Sequence, residues 1–102
     1  MVLVVGGPTQ LIDCTRRAAT VVPLANVTTC ELRDAPTRVA ELWPFAIVMS
    51  DDLYAFDSAE FDALARDVRA RLITLTIDLR NPVAQEQTLR EKLLEAFRRR
   101  MA

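Results

Sequence analysis

The sequence of 102 residues contains no histidine. Histidine exchanges its proton near neutral pH, and it is the general base of most serine and cysteine nucleophile systems. Zinc sites in proteins also rely on histidine or on clustered cysteines. The absence of histidine therefore excludes histidine-dependent hydrolases, histidine phosphotransfer on this chain and most zinc centres.

Glycine and cysteine are also scarce, with two residues of each. Gly6, Gly7 and Pro8 separate a predicted strand from a predicted helix but match neither GxGxxG nor GxxxxGK[ST], so we interpret them as a tight turn. Cys14 and Cys30 form no CxxC motif, and Cys14 has no histidine to activate it. We expect two free thiols in a reducing compartment, with Cys14 in the core; a disulfide between them is the less favoured alternative.

Long apolar runs and a large excess of one charge are missing too. No run approaches the roughly 20 residues that span a bilayer, and the first residues lack the basic start of a secretory signal. The formal net charge of −1 provides no global field to attract nucleic acid. We therefore expect a cytoplasmic protein that binds neither membranes nor nucleic acid. We interpret Arg98–Arg100 as the solvated end of a helix, where positive charge suits the helix dipole.

The composition, 51 % apolar over 102 residues, predicts one globular domain. Apolar, β-branched runs alternate with segments whose apolar residues recur at helical spacing. The predicted strands are 2–5, 25–32, 45–49 and 72–77. Predicted helices cover 8–20, follow Asp34 and Asp57, and cover 83–101, and residues 50–57 form a predicted loop. Right-handed crossovers between parallel strands give an open, mostly parallel α/β sheet with helices on both faces.

The order and spacing of these segments resemble the receiver domain of two-component response regulators. Residues 44–50 resemble the strand that carries the phospho-accepting aspartate, and residues 72–76 resemble the strand that ends in a switch threonine. Residues 57–58 lie where receivers often have Asp-Gly, and residues 81–82 lie where they have Lys-Pro. The resemblance covers nearly the whole chain and implies a flavodoxin-like fold with a role in signal transduction.

The positions that carry receiver chemistry are altered. The resemblance places a Mg²⁺-holding acidic pair at Gly6–Gly7, the phosphoryl-contacting lysine at Asn81 and the switch threonine at Thr76. Ser50 best matches the phospho-acceptor; shifting the alignment by one residue puts Asp51 there, although such a shift turns a strand side chain to the opposite face. Because phosphoryl transfer needs a cation and charge neutralisation, we predict a non-phosphorylated pseudo-receiver without metal or cofactor.

The chain is also shorter than a receiver, which has five βα units. Too few residues separate Thr76 from Asn81 for the helix and strand of a receiver, so we predict about four strands and the loss of one helix–strand unit. The fourth strand then lies at or near an edge, where an apolar strand tends to pair with another chain. We predict a homodimer; the alternative is a monomer whose last helix covers the gap. The predicted interface residues are Leu72, Thr74, Thr76, Leu89 and Phe97.

A small α/β enzyme or ligand-binding protein is the second hypothesis. Asp51, Asp52, Asp57 and Asp78 lie near the C-terminal ends of the third and fourth predicted strands, where open α/β sheets bind ligands. Carboxylates can hold Mg²⁺ or Ca²⁺, but these four have no defined ligand spacing. Since helix capping and solvation account for them, we favour an interaction module without enzymatic activity and with an unidentified protein partner.

Overall fold

The computed structural model describes residues 1–23, 25–77 and 80–101. Within these ranges, one sheet contains four parallel strands: β1 (Val2–Val5), β2 (Val27–Cys30), β3 (Ala46–Ser50) and β4 (Arg71–Leu75). The α-helices are α1 (Thr9–Ala18), α2 (Ala35–Leu42), α3 (Asp51–Phe56), α4 (Ser58–Asp67) and α5 (Pro82–Met101). The strand order β2-β1-β3-β4 is a flavodoxin-like arrangement, so the predicted fold class is confirmed.

One predicted loop is a helix. Residues 50–57 contain α3, which begins directly after β3. The Ser50 hydroxyl accepts a hydrogen bond from the Leu53 backbone N–H at 3.3 Å, and two acidic residues occupy the first turn. A capping serine and acidic first-turn residues both stabilise a helix N-terminus, which explains why this short segment is helical.

The strands β1 and β3 are buried on both faces of the sheet along their whole length. Apart from Ser50 at the end of β3, their sequences are continuously apolar, which is typical of such strands. Because side chains alternate along a strand, Val2 and Val4 belong to one core while Leu3 and Val5 belong to the other. Helices α1 and α5 cover the first core, and α2 and α4 cover the second.

Strand β4 lies at an edge of the sheet, as predicted, and pairs with β3 alone. Its two faces differ in coverage. Ile73 and Leu75 lie in the core beneath α5, with 2 % and 7 % of their surface exposed. Leu72 and Thr74 point to the opposite face and are only half-buried. The face of β4 on the α4 side is therefore incompletely covered by the described part of the chain.

The guanidinium group of Arg100 attaches the last turn of α5 to the end of the sheet where β3 and β4 begin. It donates hydrogen bonds to the carbonyl oxygens of Val68 and Arg69, both at 3.0 Å, and of Trp43 at 2.9 Å and Pro44 at 3.4 Å. Trp43 (φ 47°) and Arg69 (φ 57°) adopt the left-handed conformation in the connections that lead into β3 and β4. One side chain thus holds both connections, and the prediction of a solvated helix end is wrong for Arg100.

Replacing Arg100 by methionine should lower the free energy of unfolding by about 1–2 kcal/mol, because four carbonyl oxygens lose a charged donor. Urea unfolding followed by circular dichroism measures the change. Arg98→Met is the matched control, since Arg98 is exposed and has no hydrogen bond within the described residues. Equal destabilisation of the two variants would contradict the role of Arg100.

Candidate functional site

The predicted site residues lie at the C-terminal edge of the sheet, where open α/β folds place their binding loops. Ser50 ends β3, Asp51 begins α3, and Thr76 follows β4. Thr76 and Asn81 line a small cavity of about 220 Å³ beside the first turns of α5. The fold therefore brings Ser50, Asp51, Thr76 and Asn81 into one region.

Asp51 and Thr76 are in direct contact. The Thr76 hydroxyl donates a hydrogen bond to the Asp51 carboxylate. Asp51 is the first residue of a helix rather than part of β3, so the alternation of strand faces does not direct its side chain. Of the two candidates for the acceptor position, Asp51 therefore contacts the switch-threonine position, whereas Ser50 caps α3.

The side chains of Ser50 and Asn81 both begin helices. Ser50 caps α3, as described above. The Asn81 side-chain oxygen accepts a hydrogen bond from the Ala84 backbone N–H at 3.4 Å, and its backbone carbonyl accepts one from the Gln85 N–H at 3.2 Å. Serine and asparagine are favoured at helix N-caps, so capping accounts for both residue types. Ser50 before two aspartates is a helix-start signal that the sequence analysis missed.

Leu53 covers the end of β1, where the receiver resemblance places the acidic pair. Gly6 has a positive φ of 75°, and a Cβ atom at this position would overlap Leu53 Cδ1. Gly7 has open space around its Cα and no positive φ. The turn therefore needs glycine at position 6 for both conformation and packing, and an apolar side chain occupies the space beside it.

The acidic residues near this edge serve mainly in local structure. The Asp57 carboxylate caps α4 by accepting a hydrogen bond from the Glu60 N–H at 3.4 Å, and the bond between the two carboxyl groups raises the pKa of Glu60. Asp52 is exposed, and Asp78 lies outside the described residues. Across residues 1–23, 25–77 and 80–101, no group of three or more potential metal ligands converges.

Tyr54 and Asp62 form a second polar contact on this side of the molecule. The Tyr54 hydroxyl donates to both Asp62 carboxylate oxygens, at 2.9 and 3.0 Å. This hydrogen bond raises the pKa of the Tyr54 phenol. The tyrosine is thus held in its neutral form and links α3 to α4, rather than offering an activated nucleophile.

Both cysteines are free thiols, as predicted. Burial raises the pKa of Cys14 and of Cys30. A raised pKa keeps a thiol protonated near neutral pH, and the protonated form is a poor nucleophile. Cys14 packs in the core beside Leu11 and Ala18, which is the structural role expected from its position in α1.

Two of the five predicted interface residues are engaged inside the chain. Leu89 has no exposed surface because α5 buries it against the sheet, so its assignment to an interface is wrong. The Phe97 ring is half-buried and packs edge-to-face against Phe45, with ring centroids 5.7 Å apart. Leu72, Thr74 and Thr76 remain accessible along β4 and just beyond it.

Protein-family models, curated proteins and solved structures were compared with this chain, and none matches it. No helix in the described ranges combines the length and the apolar character needed to cross a membrane. Function is therefore inferred from the geometry of the sheet edges and the side chains at its two ends.

Gly6→Ala should lower the free energy of unfolding by about 1–2 kcal/mol or more, because a Cβ atom is strained at positive φ and overlaps Leu53. Gly7→Ala, the matched control, should be neutral or slightly stabilising, since it restricts the unfolded chain without a clash. Urea unfolding of both variants and of Gly6→Ala with Leu53→Ala separates strain from overlap. A Gly6→Ala protein as stable as the unmodified one would contradict both the strain at positive φ and the cost of the overlap with Leu53.

Proposed function

We propose that this chain is a non-phosphorylated, receiver-like interaction module that self-associates through the open edge of β4. The observation that carries the proposal is the combination of an edge strand with a partly uncovered face. Both features lie on β4, which is five residues long and contains three apolar side chains. A second copy that pairs with this strand would extend the sheet and cover the face at once.

The backbone of β4 has hydrogen-bonding groups available for such pairing. The Arg71 N–H donates to the Phe45 carbonyl oxygen at 2.9 Å, so Arg71 faces β3. Since residues of a parallel strand face alternate sides, the backbone groups of Leu72 and Thr74 point away from β3. These groups have no backbone partner in the described part of the chain. Just beyond β4, the side-chain amide of Gln85 donates a hydrogen bond to the Thr76 carbonyl oxygen.

The opposite edge, β2, is less suited to pairing. Its sequence is Val-Thr-Thr-Cys, and Thr29 is exposed. Strand β4 contains three apolar side chains, whereas β2 contains one valine and one cysteine, so pairing along β4 would shield the more apolar strand. A two-fold axis at β4 would place the two β4 strands antiparallel, which continues one sheet through both copies.

The C-terminal edge supports a module without phosphoryl chemistry. Gly6 and Gly7 offer no carboxylate for Mg²⁺, Leu53 fills the space beside Gly6, and Asn81 caps α5. Phosphoryl transfer depends on a cation and on positive groups that stabilise the transferred phosphoryl. We accordingly place this protein among regulatory or scaffolding proteins of the cytoplasm, acting on a protein partner and without enzymatic activity.

Thr74→Lys should abolish self-association, because a lysine on the edge strand resists pairing with a second chain. Multi-angle light scattering over a concentration series should give twice the chain mass of 11.5 kDa for the unmodified protein and the chain mass for Thr74→Lys. Thr29→Lys is the matched control, since it makes the same change on the other edge strand, and it should remain dimeric.

Circular dichroism and urea unfolding of both lysine variants verify that each is folded before its mass is compared. A monomeric unmodified protein at the highest concentration would refute self-association. Loss of the dimer in Thr29→Lys but not in Thr74→Lys would move the interface to β2 and refute the β4 edge.

An active receiver is the second candidate, and the contact between Asp51 and Thr76 is the observation that favours it. Our proposal predicts no phosphoryl adduct by intact-mass spectrometry after incubation with acetyl phosphate and Mg²⁺, and no change in circular dichroism with beryllofluoride. Asp51→Ala is the control that removes the only carboxylate in contact with Thr76 in the described structure. An adduct present in the unmodified protein and absent from Asp51→Ala would establish the active receiver instead.

A further inference from the structure

A pocket of about 290 Å³ lies at the end of the sheet where the strands begin. This end is opposite to the site described above. It opens between the last turn of α5 and the residues that begin β4. Four of the residues that line it are arginines: Arg69, Arg71, Arg99 and Arg100. The remaining lining is apolar and includes Phe45. None of the lining residues is acidic.

The fold brings these arginines together from two distant parts of the chain. Arg71 is the first residue of β4 and lies on the same face of the strand as Ile73, which packs beneath α5. Arg69 is in the connection before β4, and Arg99 and Arg100 are in the last turn of α5. Packing of α5 on the sheet therefore places two pairs of guanidinium groups around one opening.

The positive charge of the pocket is poorly compensated. In residues 1–23, 25–77 and 80–101, neither Arg69 nor Arg71 has an acidic partner, and Arg99 has only Glu95 at 3.5 Å. Arg100 donates its hydrogen bonds to carbonyl oxygens rather than to a carboxylate.

Helix-dipole compensation explains only part of this cluster. Positive side chains in the last turn of α5 interact favourably with the C-terminal dipole, which accounts for Arg99. Arg69 and Arg71 lie outside the helix, and their charges repel those of α5 across the pocket. An anion in the opening would relieve this repulsion.

We propose that this pocket binds a small phosphate-bearing ligand of the size of a diphosphate, with the phosphate oxygens held by Arg69, Arg71 and Arg99. Guanidinium groups present paired N–H donors that match phosphate oxygens, and they bind phosphate more strongly than neutral donors do. The volume is at the small end of the range for ligand sites. The Arg100 side chain is already held by hydrogen bonds to backbone carbonyl oxygens. It therefore supplies positive charge without losing conformational freedom when the ligand binds. Arg71 begins β4, but its side chain lies on the face beneath α5, so the pocket does not require a partner at the strand edge.

Titration of inorganic pyrophosphate into the full chain by isothermal calorimetry tests the proposal. We expect one site per chain, with a Kd that rises as salt is added because salt screens the charges. Arg71→Gln and Arg99→Gln should each raise the Kd about tenfold or more, since each removes a charged hydrogen-bond donor. Arg33→Gln, the matched control, removes an exposed arginine beyond β2 at the other edge of the sheet and should change the Kd less than twofold.

Urea unfolding without ligand verifies that each variant is folded, and acetate at equal ionic strength tests for a general ionic effect. Absence of pyrophosphate binding at low salt would overturn the proposal. So would equal weakening by Arg33→Gln and Arg71→Gln, or equal binding of acetate and pyrophosphate. Binding of a single-stranded oligonucleotide but not of pyrophosphate would identify a nucleic-acid surface instead, and would likewise overturn it.

Discussion

The requirement to bury both faces of β1 and β3 determines the rest of this structure. Every residue of these strands except Ser50 is apolar, so a helix layer must cover each side of the sheet. Helices α1 and α5 meet this requirement on one side, and α2 and α4 meet it on the other. Four strands leave β4 at the edge, where α5 covers one face and the other face is only half covered. The edge of β4 is thus open because few strands and helices surround β1 and β3.

The two ends of the sheet have different chemistry because different groups occupy them. At the C-terminal end, the polar groups are used in caps and in the pair formed by Asp51 and Thr76, while Leu53 fills the space beside Gly6. At the N-terminal end, arginines from β4 and α5 surround a pocket with little negative charge. The polar groups of the C-terminal end are thus used in local structure, whereas the arginines of the N-terminal end surround an opening.

The contact between Asp51 and Thr76 has a structural consequence. It joins the first residue of α3 to the residue that follows β4, and so contributes to holding the edge strand in place. Asn81, beside Thr76 at the same cavity, is a helix cap rather than a cation. The groups around this contact thus stabilise helix starts and the end of the edge strand, which agrees with the proposal of an interaction module.

The receiver resemblance, rather than a local signal, predicted the edge position of β4. The sequence by itself determined the fold class, the order of the strands and of the helices other than α3, and the cap at Asp57, because each depends on local periodicity or on a short-range signal. It missed α3, whose apolar pattern is too short to show a period. It assigned Leu89 to an interface because an apolar stripe on a helix has the same pattern whether it faces a core or a partner. Only the tertiary structure decided that Arg100 holds two connections and that Arg69, Arg71 and Arg99 line one pocket. These contacts join residues that are far apart in the chain, and the packing of α5 across the sheet, rather than any local preference, brings them together.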